Sequence, residues 1–270
     1  MDGRPAGRYL QEWHDRHPGA TSIVLGAMSD QAGRSSYRVL ADAIGRGGEP
    51  ILDIACGDGH LLELLRPRAS CAGVDWNVAE LDAARRRLGR SIPLVRSDAV
   101  RLPFATGAVG TVSCHFALML LQPLEAVLAE TARVLRRGGL LAAVLPASPP
   151  QGVETLWAAL RGAWRDVTAL HPVDVPSLQD GRALQRDVLA PLLHEAGFSS
   201  LAVESFSVSR IVTVDEAKEA LLLTYLPELL PPDQFAQLEQ ALERSLVEMV
   251  ADNGKAIFVE HAELVTALRS

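Results

Sequence analysis

The sequence is short of cysteine, of positive charge and of long apolar segments. Its three cysteines, Cys56, Cys71 and Cys114, are an odd number without C-x-x-C spacing, which argues against a disulfide framework and a zinc knuckle. We expect each of them to be a small buried residue. The longest apolar runs, residues 116–121 and 140–145, fall far short of the roughly 20 residues of a membrane helix. The sequence therefore predicts no membrane-spanning segment.

Basic residues are outnumbered by acidic ones. The chain has 26 basic and 33 acidic residues and a formal net charge of −7. Because phosphate neutralisation normally needs a basic patch, this balance disfavours nucleic acid as a partner. Residues 1–17 lack the apolar stretch of about 7 to 15 residues that a secretion signal contains. We expect the protein to remain in the cytoplasm.

Hydrophobic residues make up 48% of the 270 residues, which is enough for a substantial core. From Pro50 to Pro146, short β-rich runs alternate with one-sided helical patterns, which predicts a doubly wound parallel α/β sheet with helices on both faces. With two later strands, at 201–208 and 255–261, the Rossmann-like sheet has seven strands. The earlier strands are predicted at 51–55, 71–75, 93–97, 109–115 and 140–145, and helices at 61–65, 78–88 and 124–135.

Helical segments flank this core. Residues 1–48 are predicted to form an N-terminal helical lid, with helices at 4–16 and 35–46 joined by the loop from Gly19 to Gly33. Residues 49–270 then form the main domain. Within this domain, two cap insertions are expected to leave the sheet, at about 147–180 and 212–252. They contain helices predicted at 153–168 and 215–251, and a further helix is predicted between them at 182–196.

The most informative stretch is a strand, a glycine turn and a helix start, from Ile51 to His60. Glycines in such a turn let backbone N–H groups approach a ligand closely. The dinucleotide-binding fingerprint requires a third glycine where Leu62 stands, which disfavours a nicotinamide cofactor. A tight turn without any ligand is the alternative.

Acidic residues lie in, at the end of and just after the first three predicted strands, respectively. Because the carboxyl ends of parallel strands line one crevice, Asp53, Asp75 and Asp98 are expected to converge there. A carboxylate after the second strand suits the two hydroxyls of a ribose, and Asp98 suits an exocyclic amine. Trp76 offers a flat apolar face to a purine, with surface packing as the alternative. Three acids favour a cationic ligand over a pyrophosphate.

Four motifs resemble the class I S-adenosylmethionine-dependent methyltransferases, particularly the branch of quinone and small-molecule enzymes. They are LDIACGDG at 52–59, GVDWN at 73–77, RSDAVRLPF at 96–104 and RVLRRGGLL at 133–141. The resemblance implies S-adenosyl-L-methionine as cofactor, S-adenosyl-L-homocysteine as product and no metal. It also implies a cofactor site in which Asp53 organises the methionine end, Ala55, Gly57 and Gly59 supply backbone, Asp75 holds the ribose, Trp76 packs on adenine, and Asp98 with the Ala99 amide reads the adenine edge.

Two positions depart from the pattern of that family. Ala55 occupies the usual first glycine, and we expect its methyl group to be tolerated with φ below zero. Gly110 stands where the fourth strand often begins with an aspartate, a change that we expect to affect the edge of the acceptor site.

His115, at the end of the fourth predicted strand, is the candidate catalytic residue. If the family layout holds, it lies near the transferring methyl group and acts either as a base or as a contact to the cofactor. The other histidines show no metal-ligand spacing, and His14 and His171 are secondary candidates in the predicted lid and cap.

The resemblance implies transfer of a methyl group to a small molecule, on oxygen, nitrogen or carbon. The apolar residues around Leu221 and Tyr225 suit a lid over an apolar or aromatic acceptor, or a dimer interface, so the chain is expected to be a monomer or a homodimer. The alternatives are an RNA methyltransferase and a non-methylating protein that binds the same cofactor.

Overall fold

A computed structural model describes residues 5–45, 48–67, 69–251 and 253–270. Parts of the predicted lid at residues 1–4 and 46–47, and residue 252 of the second predicted insertion, lie outside this description. The seven-stranded sheet that the sequence predicts is confirmed, with the strand order β3-β2-β1-β4-β5-β7-β6. Its strands are β1 (Ile51–Ile54), β2 (Cys71–Asp75), β3 (Leu94–Arg96), β4 (Val109–His115), β5 (Leu135–Pro146), β6 (Phe198–Thr213) and β7 (Lys255–Arg269).

Helices cover both faces of the sheet. The α-helices are α1 (Pro5–Arg16), α2 (Ala20–Leu25), α3 (Ser36–Ile44), α4 (His60–Leu65), α5 (Val78–Leu88), α6 (Leu124–Val134), α7 (Leu156–Thr168), α8 (Arg186–Glu195), α9 (Val214–Leu222) and α10 (Pro232–Met249). One apolar core joins α3, α4, α5 and the cap helices α7, α9 and α10, and a second one lies under α6 and α8. Since both faces are covered, the seven residues of β4 are all buried.

Three of the predicted helical and loop segments differ from the structure. The loop from Gly19 to Gly33 contains α2, a six-residue helix too short for a clear periodic pattern. The predicted helix at 215–251 is divided into α9, a 3₁₀ turn at Pro227–Leu229 and α10, because Pro227, Pro231 and Pro232 interrupt the helical ladder. Within the predicted lid, α3 is built into the core, where Leu40 is fully buried.

The last two strands continue past the carboxyl ends of the parallel strands. Because β7 is antiparallel to β5, its residues before 262 lie beyond Pro146, which pairs with Ala262. There β7 pairs with β6, from Ser207 opposite His261 to Thr213 opposite Lys255. Residues 255–261 therefore stand at the edge of the sheet where the predicted site residues lie. Within the described ranges, no helix is long and apolar enough to cross a membrane.

Candidate functional site

The turn after β1 forms the floor of a cleft at the carboxyl edge of the sheet. Gly57 has a φ of 52° and Gly59 one of 78°, values that favour glycine. A Cβ at Gly59 would lie 2.7 Å from the Leu88 side chain, so this glycine permits close packing of α4 on α5. Gly59 does not line the cleft, whereas Gly57 does. Ala55 also lines it, but the expected negative φ is wrong: the turn imposes a φ of 52° on this residue.

Two of the predicted acids, one buried and one partly buried, lie next to this turn. Asp53 is 2% exposed and accepts a 2.8 Å hydrogen bond from the Ser113 hydroxyl. Burial raises its pKa to about 7, because the bond from Ser113 offsets only part of the lost hydration. Asp75 accepts one backbone N–H bond on each oxygen, from Gly57 at 2.9 Å and from Asn77 at 2.8 Å. Its pKa is raised as well, mainly by burial. Both carboxyl groups therefore bind a hydrogen-bond donor or cation more readily than an anion.

The residues predicted to hold a purine lie along the same cleft. Asp98, Ala99 and Trp76 all line it. The Arg96 guanidinium lies 5.6 Å from the centroid of the Trp76 ring. The indole Nε1 of Trp76 is buried and has no hydrogen-bond partner in the described part of the chain. The structure thus brings three strand ends together at one wall, as the sequence predicts.

His115 lies in the cleft wall at the end of β4. It is 8% exposed, stacks on Tyr37 with ring centroids 3.6 Å apart, and its Nε2 lies 3.0 Å from the Ser36 hydroxyl. Burial, together with a smaller effect of His60, lowers its pKa to about 3. The imidazole is therefore neutral near pH 7. Its Nδ1 is buried without a partner among the described residues, so it is available to a ligand.

The cleft includes a set of contacts that the sequence did not predict. Glu80 of α5, 4% exposed, accepts hydrogen bonds from the Gly19 N–H at 2.9 Å and pairs with His14 Nδ1 at 2.8 Å. The other ring nitrogen of His14 lies 3.1 Å from the Tyr225 hydroxyl. Tyr9 donates a hydrogen bond to the Tyr225 carbonyl oxygen. Tyr225 is 211 and 216 residues away from these partners in sequence, so no local pattern indicates the contact.

Of the two secondary histidine candidates, His14 lines the cleft. His171 has an exposed side chain, and its backbone carbonyl accepts a hydrogen bond from Gln234 of α10 at 3.0 Å. It therefore takes no part in the cleft contacts given above.

A second, larger cavity adjoins the cleft. The two enclose about 1130 Å³ and about 2360 Å³ of empty space, open mouths included. Three residues line both of them, namely Thr21, Phe116 and Tyr225. The rest of its wall includes residues of α1, α2 and α7, of the segment after β5, of the middle of β6 and β7, and of the segment after α9, so both predicted insertions contribute to it.

Gly110 lies away from both cavities, which corrects the expectation for this position. It is at the amino end of β4, on the edge opposite His115. A Cβ there would lie 2.4 Å from the Gly48 carbonyl oxygen and 2.8 Å from that of Glu49. The lack of a side chain is thus explained by close backbone packing.

Known proteins share this architecture. A family described as a methyltransferase domain matches residues 52–143. A demethylmenaquinone methyltransferase from Beutenbergia cavernae is 30% identical over 215 residues, which cover 74% of this chain and 85% of that protein. The corresponding Mycolicibacterium paratuberculosis protein is 37% identical over 123 residues, 45% of this chain, and the match spans 51% of its length, about half.

A solved structure extends the likeness to nearly the whole chain. Haemonchus contortus phosphoethanolamine N-methyltransferase 2, in complex with S-adenosyl-L-methionine, has a TM-score of 0.61 to this chain at 14% identity. The match covers 99% of this chain and 60% of the other. At this identity it shows a common fold.

Proposed function

Since this chain belongs to the class I S-adenosylmethionine-dependent methyltransferases, we propose that it transfers a methyl group from S-adenosyl-L-methionine to a small apolar or aromatic acceptor. The observation that carries the proposal is the junction of two cavities. The cleft with the predicted cofactor residues and the larger cavity share Thr21, Phe116 and Tyr225 as a common wall. A methyl donor in one and an acceptor in the other would meet at this wall.

The residues of the cleft fit the cofactor. Two buried polar atoms without partners among the described residues, Trp76 Nε1 and His115 Nδ1, are available to a polar ligand. Asp53 would hold the ammonium of the methionine end, Asp75 the ribose hydroxyls, Trp76 the adenine ring, and Asp98 with the Ala99 amide the adenine edge. The buried carboxylates suit a positively charged ligand. When bound, the cofactor supplies an activated methyl group on a sulfonium.

The protein's own contribution is alignment and exclusion of water. Tyr225, which lines both cavities, packs on Trp13 of α1 with ring centroids 4.6 Å apart, and Trp13 itself lines the second cavity. Phe116 adds an apolar surface at the junction. A displacement at a saturated carbon needs this in-line positioning in a desolvated site more than it needs a strong base.

We assign His115 a positioning role. A neutral imidazole whose pKa is about 3 accepts a proton poorly near pH 7, but its unpaired Nδ1 is able to form a hydrogen bond with a ligand. His115→Asn is therefore expected to weaken cofactor binding and turnover together, whereas loss of a base would lower turnover alone.

Acceptor screening with methyl-labelled S-adenosyl-L-methionine tests the function. The relatives are named demethylmenaquinone methyltransferases, so hydroxylated naphthalenes and quinols come first, with amines, carboxylic acids and bulk RNA as comparison acceptors. Label in a small aromatic product supports the proposal. Label confined to RNA would favour the RNA methyltransferase alternative, and cofactor binding without transfer to any acceptor would favour a binding role.

A further inference from the structure

A buried carboxylate in the second cavity interrupts the apolar face of β7. Every second residue of this strand faces the core that lies under α7 and α10, as Ala256, Phe258, Ala262 and Leu264 do. Glu260 occupies the same row and is 7% exposed. Burial of a carboxylate at an apolar position costs folding free energy, so its presence calls for a partner. Glu260 also lines the second cavity.

One partner of Glu260 belongs to the protein. Trp157 of α7 donates its indole N–H to Glu260 Oε2 at 2.6 Å, and its ring packs edge-to-face on Phe258 at 5.4 Å. These contacts fix the position of the carboxyl group in the cavity wall. Burial nevertheless raises the pKa of Glu260 to about 7, because the bond from Trp157 offsets only part of the lost hydration. Among the described residues, Trp157 is the one group that donates a hydrogen bond to this carboxyl group.

Two more residues that line the second cavity carry a polar atom without a hydrogen-bond partner among the described residues. Thr155, at the start of α7, is 4% exposed, and its hydroxyl has no partner among the described residues. His261 contacts the Ser207 hydroxyl through Nδ1 at 2.7 Å, while its Nε2 is buried and unpartnered within the same residues. Glu260, Thr155 and His261 all line the second cavity. Glu260 and Thr155 thus place two polar groups in a largely apolar surface, whereas His261, the next residue of β7, points to the opposite face of the sheet.

We propose that Glu260, held by Trp157, accepts a hydrogen bond from a hydroxyl or amine group of the methyl acceptor, with the Thr155 hydroxyl as a second contact. This rests on the proposed function, because it takes the second cavity as the acceptor site. A carboxylate that lacks hydrogen-bond donors favours a ligand that supplies a donor. The same carboxylate repels an anionic group. The acceptor is then an apolar molecule with a neutral or cationic donor, rather than a carboxylic acid or a phosphate ester.

Two probes that differ by one hydroxyl test this site without turnover. The Kd values of 2-naphthol and naphthalene are measured by calorimetry on protein saturated with S-adenosyl-L-homocysteine. We expect 2-naphthol to bind about tenfold more tightly, as one hydrogen bond to a charged group implies. In Glu260→Leu, whose side chain suits the apolar row, the ratio is expected to fall at least fivefold, to about 2.

The matched control is Glu204→Leu, which removes an exposed carboxylate from the neighbouring strand β6, outside the second cavity. We expect it to keep the wild-type ratio. Equal binding of the two probes by the wild-type protein, or an unchanged ratio in Glu260→Leu, would overturn the inference.

A second measurement uses the wild-type protein alone. The indole N–H resonance of Trp157, assigned by its loss in Trp157→Phe, reports on the bond to Glu260. We expect saturating 2-naphthol to shift it and naphthalene to shift it less. No shift with 2-naphthol would contradict the proposed contact. Failure of the proposed function is a separate result, since it would appear as lack of methyl transfer and of cofactor binding.

Discussion

Ala55 carries a methyl group at a backbone conformation that favours glycine, because its φ is 52°. For a residue with a Cβ this region costs roughly 1 to 2 kcal/mol. Ala55→Gly is therefore expected to raise the free energy of unfolding by about 1 kcal/mol in urea titrations. Ala83→Gly, in the ordinary helix α5, is the control and is expected to lower it by about 1 kcal/mol. Equal destabilisation by both changes would show that the turn stores no strain.

Asp53 is expected to couple cofactor binding to proton release. Its pKa of about 7 leaves it mainly protonated at pH 5.5, whereas the cofactor's ammonium group would hold it ionised. Affinity for S-adenosyl-L-homocysteine should therefore rise by about tenfold from pH 5.5 to pH 7. Calorimetry in buffers of different ionisation enthalpy counts the released protons.

The nearby groups Asp75, Glu80 and His14 also face the cleft, so the comparison is with Asp53→Asn. This variant is expected to bind more weakly and to lose most of the pH dependence. The same pH dependence in Asp53→Asn would assign the proton to one of the other groups.

Residues that follow a strand directly were predictable, and residues that reach the site from distant elements were not. Asp53, Asp75, Asp98 and His115 follow or end strands, and parallel pairing brings such positions to one edge. Glu260 illustrates the opposite case. The alternation of β7 places Glu260 on the apolar face. Its role was not predictable, because it depends on the hydrogen bond from Trp157, which is 103 residues away in sequence.

At the scale of elements, hydrogen bonds join α1 to α5 and to the segment after α9. They involve His14, Glu80 and Tyr225. Tyr225→Phe removes the hydroxyl that contacts His14 and keeps the ring that packs on Trp13. Amide exchange in residues 5–16, followed by mass spectrometry, is expected to accelerate about fivefold, the equivalent of one hydrogen bond of about 1 kcal/mol.

Helix α6 provides the internal control, because it lies on the opposite face of the sheet. Its exchange is expected to stay unchanged in Tyr225→Phe. Equal acceleration of amide exchange in α1 and α6 would indicate global destabilisation. No acceleration in α1 would show that the contact between Tyr225 and His14 does not hold this helix in place.

Periodicity predicted the regular elements and missed those set by tertiary contacts. The bounds of α5, β2 and β4 were predicted to the residue, since their apolar positions repeat cleanly. The strand β6 is longer than predicted because its polar residues pair with β7, and pairing over 16 residues outweighs the weak local signal.

At the scale of the whole molecule, binding in the cleft should stabilise the fold by mass action. At a ligand concentration 100 times Kd, the gain is about 2.7 kcal/mol. For a chain of this size that corresponds to an increase of roughly 5 °C in Tm. Differential scanning fluorimetry with S-adenosyl-L-homocysteine measures the increase.

Asp75→Ala removes the predicted ribose contact and is expected to weaken binding by about 1.5 to 3 kcal/mol. At the same ligand concentration its Tm, compared with that of its own ligand-free form, should rise by less than about 3 °C. An increase equal to that of the wild-type protein would contradict the ribose assignment.

The order of the sheet was predictable as a doubly wound layout because right-handed crossovers leave few alternatives for β1 to β5. The shape of the second cavity was not. It combines residues of α1, α2 and α7, the segment after β5 and the middle of β6 and β7, and their separate patterns carry no information on how these elements meet.

The ladder between β6 and β7 has an evolutionary consequence. Thr213 and Lys255 are paired, so the chain enters and leaves the segment 214–254 at neighbouring points, about 5 Å apart. A segment whose two ends lie next to each other can be replaced by recombination without a change in the path of the rest of the chain. A lineage that keeps the cleft can thus inherit a different acceptor preference in one event. Tyr225 lies inside the exchanged segment, so each new cap must bring its own residue to meet His14.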